Sequence, residues 1–261
     1  MYRYEMHLHT APVSKCAKAS VEEVLKFYQS QGYDGVFITN HFIDGQVGKD
    51  GKSYEELIEF FFSDYEEGLA LSREIGIKVF SGAEVSFSGN HFLIYGLEKE
   101  WYLAHPEILE MKFSDMLRFM REEGAFIGHA HPFDERSFID HIKLLPRCVD
   151  AVEIVNAAKN DFQNAMANIY AEAYGLIKIA GSDNHRAGNI GKLAGIECDE
   201  PILSIADFIA KAKAGRLSPF RRERETPDSD FVDRPIRFDW RLVTADTIAS
   251  EEEREAKAGI G

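Results

Sequence analysis

Excess positive charge is the first thing this sequence lacks: 30 Lys and Arg stand against 44 Asp and Glu, a formal net charge of −14. A surface of that sign repels a phosphate backbone, which argues against binding long nucleic acid. A small anionic substrate stays open, because a local metal charge can outweigh the overall field. Cysteine is scarce too. Cys16, Cys148 and Cys198 are an odd, widely spaced set, neither a disulfide framework nor a CxxC metal site, and they fit a reducing cytoplasm. No apolar run approaches the roughly 20 residues of a membrane span, so no membrane partner is expected. The opening Met1-Tyr-Arg-Tyr-Glu-Met-His7 has no short apolar secretory core. Internal repeats and low-complexity blocks are missing as well. What the chain does have is 45% apolar residues across 261 positions, enough for one large domain with a sizeable core.

Short apolar runs alternate with longer amphipathic ones. Strands are expected at Tyr2–Leu8, Gly35–Thr39, Ile77–Val85, His91–Leu97, Ala125–His129, Asp150–Val155, Leu176–Ala180 and, more weakly, Leu193–Glu197. Between them, Ser20 with Glu23 and Ser53 with Glu56 form capping boxes that open helices, closed by Gly32 and Gly76. Further helices are expected near 114–123, 137–145 and 161–174, and from Ser204 to about Gly215. Strands alternating with helices predict a parallel sheet, and about seven such units predict a barrel over residues 1–220. Residues 221–261 depart from the rhythm. They begin with the mixed-charge Arg221–Glu225, are broken by Pro227 and Pro235, and end in a polar stretch, Ser250–Lys257, that reads as an extension or tail.

Seven of the nine histidines fall in five places: His7 with His9, His41, His91, His129 with His131, and His185. Glu84 and Asp183 share those segments. All but His91 lie at or just beyond the C-terminal end of an expected strand, where a β/α barrel gathers its active site. The pair His7-Leu8-His9 turns both imidazoles to one side of an extended chain. Imidazoles with carboxylates suit Zn, Fe or Mn, and a carboxylate such as Glu84 can bridge two ions about 3.5–4 Å apart. A single HxH or DxH means little alone, and His91 could be a core histidine. The joint pattern is what points to metal.

The segments Glu5–Thr10, Ile38–His41, Ser81–Glu84, His91–Gly96, Ile127–Pro132, Val152–Asn156 and Gly181–His185, in that order, resemble the polymerase-and-histidinol-phosphatase (PHP) family of metal-dependent phosphoesterases. The resemblance implies a distorted (β/α)7 TIM-like barrel holding two or three divalent ions. It assigns His7, His9, Glu84 and Asp183 to a first metal, Glu84, His91 and His131 to a second, and His41 and His185 to a third. Where the family places one more third-metal ligand this chain has Lys15, a cation, with Cys16 or Asp44 as substitutes. It also has Asn40 where the family often carries Asp.

The reaction this implies is hydrolysis of a small phosphate ester by a water that two metals share and acidify. His129 or His185 would protonate the leaving oxygen. Arg186, Arg136 and Lys15 are candidate phosphate contacts. Alternatives are an exonuclease-like phosphodiesterase on short oligonucleotides, an amidohydrolase-type metal hydrolase, and a non-catalytic binding module. The substrate, the metal and the oligomeric state stay open at this level.

Overall fold

The computed structural model describes residues 1–42, 51–137, 139, 141–188, 190–224 and 231–234. Asp44, Pro227, Pro235 and the polar stretch Ser250–Lys257 lie outside the described residues.

The chain runs through strands β1 (Tyr2–Leu8), β2 (Gly35–Ile38), β3 (His41–Phe42), β4 (Lys78–Ser81), β5 (Ala83–Phe87), β6 (Asn90–Tyr95), β7 (Phe126–Ala130), β8 (Ala151–Asn156), β9 (Ile177–Gly181), β10 (Lys192–Cys198), β11 (Ser218–Arg224) and β12 (Phe231–Arg234). The helices are α1 (Val21–Ser30), α2 (Tyr54–Ile75), α3 (Lys99–Ala104), α4 (Phe113–Glu122), α5 (Asp161–Tyr174) and α6 (Ile205–Lys213). Both capping boxes form as read. Ser20 accepts from the Glu23 amide and Ser53 from that of Glu56, and Asn160 with Gln163 builds a third box ahead of α5. Gly76 ends α2 at φ 80°, where a side chain would be strained.

Hydrogen bonding arranges the strands as two six-stranded sheets, in the orders β12-β11-β10-β1-β2-β4 and β3-β5-β6-β7-β8-β9. The parallel ladders that the alternation predicts are there between β1 and β2, β2 and β4, β7 and β8, and β8 and β9. The expected run Ile77–Val85 breaks at Gly82 into β4 and β5. The pairing crosses that break through Gly82 N to Ile38 O and Glu84 N to Asn40 O, both 2.9 Å.

A closed seven-stranded barrel is not formed by the described residues, which corrects the expectation. β1 gives the edge at Tyr2–Tyr4 to β10, antiparallel. β9 reaches β1 only at an isolated bridge between Leu8 and Asn184, flanked by Asp183 N to His7 O at 2.8 Å. Just below, the buried Glu5 carboxylate takes amide donors from both strands, His7 N and Ser182 N, each at 2.8 Å. A side chain thus fills the place of the missing ladder bonds. Burial pushes the Glu5 carboxyl up to about 7, against hydrogen bonds from Ser182 and His7.

Two other expectations change. Residues 137–145 form no helix where they are described; Lys143 N is held instead by Asn90 Oδ1 at 2.9 Å, which ties the segment to β6. The departure after residue 220 begins inside a strand, since β10, β11 and β12 pair antiparallel and extend the first sheet.

One aromatic core draws on both sheets. Tyr4, Phe37, Phe80, Tyr95 and Phe126 meet Phe208 of α6, whose ring lies 4.9 Å from Phe37 and 5.3 Å from Phe126. Each strand residue precedes the histidine or carboxylate of its own segment, except Tyr95, which ends the antiparallel β6, and α6 covers this side. The opposite end is left for the polar cluster described below. Phe208→Ala should cost about 3–5 kcal/mol, a large cavity penalty, read as a lowered Tm. An unchanged Tm would mean that α6 is not needed to close the core.

Candidate metal centre

All eight residues assigned as metal ligands from sequence meet at the open end of the parallel strands. His7 ends β1 and His9 follows it. His41 opens β3, Glu84 lies in β5, His131 follows β7, and Asp183 and His185 follow β9. His91 looked exceptional because it starts a strand. β6 runs antiparallel to β5 and β7, however, so its first residues stand beside their neighbours' last ones: Ser86 pairs with His91, and His91 with Ala130.

Glu84, 1% exposed, is the hub. Its Oε1 lies 2.8 Å from His91 Nδ1, 3.3 Å from His7 Nε2 and 3.4 Å from His131 Nε2. Its Oε2 lies 2.9 Å from His41 Nδ1 and 3.4 Å from His9 Nε2. Asp183 Oδ1 is 3.5 Å from His7 Nε2 and 3.4 Å from His9 Nε2, and Oδ2 is 3.8 Å from His131 Nε2. Both His131 and Asp183 sit at positive φ, 26° and 53°, so the backbone is bent from its usual range where these two side chains must be aimed.

Among the described residues four overlapping groups could hold an ion: His7, His9 and Glu84; His7, His131 and Asp183; His41, Glu84 and His91; and His9, His41 and His185, each with its donor atoms within 4.8 Å of one another. The donor set fits divalent transition ions, being six imidazoles and two carboxylates with no competing ammonium among them. The buried Glu84 Oε2 has no well-directed hydrogen-bond donor although two imidazoles lie close, an arrangement suited to a cation.

Surrounding residues fix which nitrogen each histidine offers. His7 Nδ1 donates to Glu153 Oε1 at 2.9 Å, leaving Nε2 toward Glu84 and Asp183. The other Glu153 oxygen accepts His131 N and Asn156 Nδ2, both at 2.9 Å. For His9 the chain of logic is longer. Asn40 Oδ1 accepts from Thr10 N at 2.7 Å, and Asn40 Nδ2 donates to Asp64 Oδ2 at 3.0 Å, which sets the amide's orientation. The Ser14 hydroxyl must then donate to Asn40 Oδ1, so at 3.2 Å it can only accept from His9 Nδ1. His9 Nε2 is left as a bare donor atom. Asn40, with one acceptor and one donor arm, performs a relay that an aspartate could not, and buried Asp64 on α2 supplies the carboxylate.

The protonation preferences follow. Burial opposes a charge on His7, but Glu153, Asp183 and Glu84 outweigh it and hold the ring well above the ordinary histidine value. Burial and the neighbouring His41 and His185 hold His9 well below it. Burial would raise Glu84 and Asp183, yet the histidines around them keep both well below the carboxylate range.

Not every expected residue joins. His129 is buried in the core, its ring stacked at 4.4 Å on Phe92 and edge-on to Tyr170, with no hydrogen-bond partner on either nitrogen. Burial drives it down to about 3, so the expected role as proton donor does not suit it. His131 is two residues on and would share its face in a continued strand, but β7 ends at Ala130 and the positive φ of His131 turns that side chain to the cluster instead. Lys15, Arg136 and Arg186 are exposed, and Arg136 pairs with Asp134 at 2.6 Å. The residue after Lys15, Cys16, is half-buried; burial raises its thiol, but the nearby His185 and His41 prevail and hold it at about 6. The sequence reading missed Glu153, Ser14 and Asp64. Glu153 had a visible signal, a carboxylate in the otherwise apolar run Ala151–Val155.

Residues 161–217, which include Asp183 and His185, match the PHP-associated family model PHP_C. No curated protein matches the chain. Among solved structures, a two-domain protein from Bacteroides vulgatus, described as containing a predicted PHP-like metal-dependent phosphoesterase, aligns with TM-score 0.63 at 15% identity. That alignment covers 84% of this chain and 64% of the other, so the chain spans less than two thirds of that protein. PsfC from Pseudomonas syringae aligns with TM-score 0.54 at 16% identity over 98% of this chain and 100% of its own. At these identities the likeness is one of fold.

Two outcomes are expected from this geometry. Glu153→Gln should keep the fold but weaken metal binding about 10–100-fold, measured by titration calorimetry. Because His7 is held above its ordinary value, it carries a proton in the metal-free protein at pH 7, and that stabilising charge is lost as pH rises through the raised value. Metal must displace the proton, so affinity should rise with pH and binding at pH 7 should release protons, seen as a dependence of the binding heat on buffer ionisation enthalpy. Binding without proton release would mean that His7 is already neutral.

Proposed function

We propose that the chain is a metal-dependent phosphoesterase of the PHP type acting on a small phosphorylated substrate, a reading supported by the PHP-associated match over residues 161–217 and by the fold shared with a protein described as PHP-like. The observation that carries this reading is the Glu84 carboxylate, buried at 1% exposure and touched by five imidazoles, with Asp183 opposite. His7, His9, His41, His91, His131, His185 and Asp183 with Glu84 would hold divalent ions of the kind phosphoryl transfer uses. Bound ions of this kind supply Lewis acidity toward phosphate oxygens and lower the pKa of water.

The chain's own residues do the rest. Glu153 and Ser14 hold His7 and His9 in the tautomers that present Nε2. Asp183 and Glu84 keep their charge at neutral pH and so offset the mutual repulsion that cations gathered in the pocket would have. His185 Nδ1 is bound to the Asp183 carbonyl at 2.9 Å, which leaves Nε2 as the nitrogen that could serve either a metal or a leaving group. We assign it to metal; solvent at the exposed rim then protonates the leaving oxygen. We assign Arg186 and Lys15, exposed and next in sequence to His185 and Cys16, the neutralisation of an incoming phosphate. The negative overall charge supports a small substrate over a long polymer. No helix among the described residues is long and apolar enough to cross a membrane.

The test is hydrolysis of p-nitrophenyl phosphate, its bis ester and a p-nitroanilide by metal-stripped protein, before and after adding Zn, Mn or Fe. Monoester cleavage should depend on the added metal, and Glu84→Gln should lose it by orders of magnitude while keeping its circular dichroism. Diester cleavage alone would move the reading to a phosphodiesterase, and anilide cleavage alone to an amidohydrolase. A folded Glu84→Gln protein with near-normal turnover would sink the bridging role.

A further inference from the structure

Beside the cluster, across one of its histidines, a single carboxylate gathers two cations. Asp134 is buried in the loop after β7, three residues beyond His131. Its Oδ2 accepts from Lys159 Nζ at 2.8 Å, and lies 2.6 Å from Arg136 Nε and 3.9 Å from His131 Nδ1. The other nitrogen of that ring, Nε2, faces Glu84 and Asp183. One imidazole therefore stands between the Asp134 group and the cluster. Two positive charges on one negative leave this spot positive, in a chain whose net charge is −14.

Lys159 is the unusual member of the group. The Arg136 side chain is 42% exposed, that of Lys159 only 11%. An ammonium carries three donors. Asp134 takes one, and among the described residues the ammonium bonds to no other acceptor. A charge so far removed from water ordinarily collects more partners. The lysine is also firmly held, which lowers the entropy cost of binding through it. Lys159 N donates to Asn156 O at 3.1 Å, and Ala158 N to Asn156 Oδ1 at 2.9 Å. Asn156 Nδ2 in turn reaches Glu153 Oε2 at 2.9 Å and Asp183 Oδ2 at 3.4 Å. The loop after β8 is thus fastened to the side chains that hold the cluster.

We propose that Lys159, held by Asp134, binds a second anionic group of the substrate, on the other side of His131 from the group that reacts. The inference rests on the phosphoesterase reading only for the identity of the reacting group. Its consequence is a substrate class: small molecules with two anionic groups, either a bisphosphate or a phosphorylated carboxylic acid. A lysine ammonium is a point charge and takes either anion with its remaining donors. Arg136 keeps Asp134 neutralised while Lys159 is engaged, so the carboxylate does not repel the incoming anion.

Phosphonates test the site without turnover, because their carbon–phosphorus bond resists hydrolysis. The full-length, metal-loaded protein is titrated calorimetrically with alkylphosphonates, alkylene bisphosphonates and phosphonocarboxylates, on matched spacers of two to six carbons. At the best spacer a second anion should tighten binding about tenfold or more. A larger gain with the bisphosphonate identifies the second group as phosphate, and a larger gain with the phosphonocarboxylate identifies it as carboxylate. Lys159→Met and Lys159→Gln, both neutral, should remove the gain. Lys159→Arg should keep most of it, with circular dichroism confirming the fold of each variant. In phosphate-release assays the matched monophosphate and bisphosphate esters should differ mainly in KM, and the neutral variants should erase that difference. No gain at any spacer in the wild type, or a gain that survives both neutral variants, would overturn the proposal; monoester cleavage would then still uphold the phosphoesterase reading. A Lys159-dependent gain in a protein that cleaves no phosphate ester would sink that reading and keep the anion site.

Discussion

A carboxylate taken out of water must be matched by positive charge or directed donors, and Glu84 is the point at which this protein meets that requirement. Five histidines from four chain segments converge on its two oxygens, and each segment's end is brought to a defined place. The bend of β4 into β5 at Gly82 exists in the same stretch, since Glu84 N hydrogen-bonds to Asn40 O next to His41. Gly82 is needed there because a Cβ would come within 2.9 Å of Thr39 Cγ2 and 3.3 Å of the Ile94 carbonyl. The open end of the sheets is thus organised around one charged side chain.

A second tier keeps that convergence from collapsing into a tangle of interchangeable histidines. Glu153 binds His7 through its ring and His131 through its backbone, so two ligands move as one. Asp64, on α2, reaches His9 through Asn40 and Ser14. Burial raises Asp64 and the hydrogen bonds from Thr10, Val13 and Asn40 pull it back, so the helix contributes a carboxylate at the cost of its own solvation. Gly181 permits the closest approach in this tier: a Cβ there would stand 2.4 Å from the His7 Cβ and 2.8 Å from Glu153 Oε1.

The two ends of the molecule answer opposite demands. At one end Phe208 and the rings of Tyr4, Phe37, Phe80, Tyr95 and Phe126 pack without polar groups needing partners beyond Tyr4 and Tyr95, whose hydroxyls find Ile202 N and Met6 O. Aromatic packing of this kind is stiff and tolerates little displacement. At the other end the buried groups are charged or tautomeric and would repel one another without proton or metal. A rigid apolar base therefore carries a polar rim whose members are held apart in sequence and together in space.

Local pattern determined much of this. Capping boxes at Ser20 and Ser53 fixed two helix starts, period-two and continuous apolar runs located the strands, and the placement of His7, His9, His41, Glu84, His131, Asp183 and His185 at strand ends marked a metal cluster, because such signals depend only on neighbouring residues. What lay beyond reach was whatever depends on which strand lies beside which. The direction of β6 decides that His91 belongs to the cluster although it begins a strand. His129 lies within β7 and enters the core, while His131, just past the strand end at φ 26°, is turned to the cluster, a difference that residue type does not encode. The capture of the β1 edge by β10, with Glu5 filling the space toward β9, replaces a closed barrel with two sheets. Lys15 and Cys16 are adjacent in sequence, yet the turn pinned at Ser14 and Lys18 leaves one exposed and the other half-buried. In each case the deciding contact joins residues distant along the chain, and its energy exists only once the fold has brought them together.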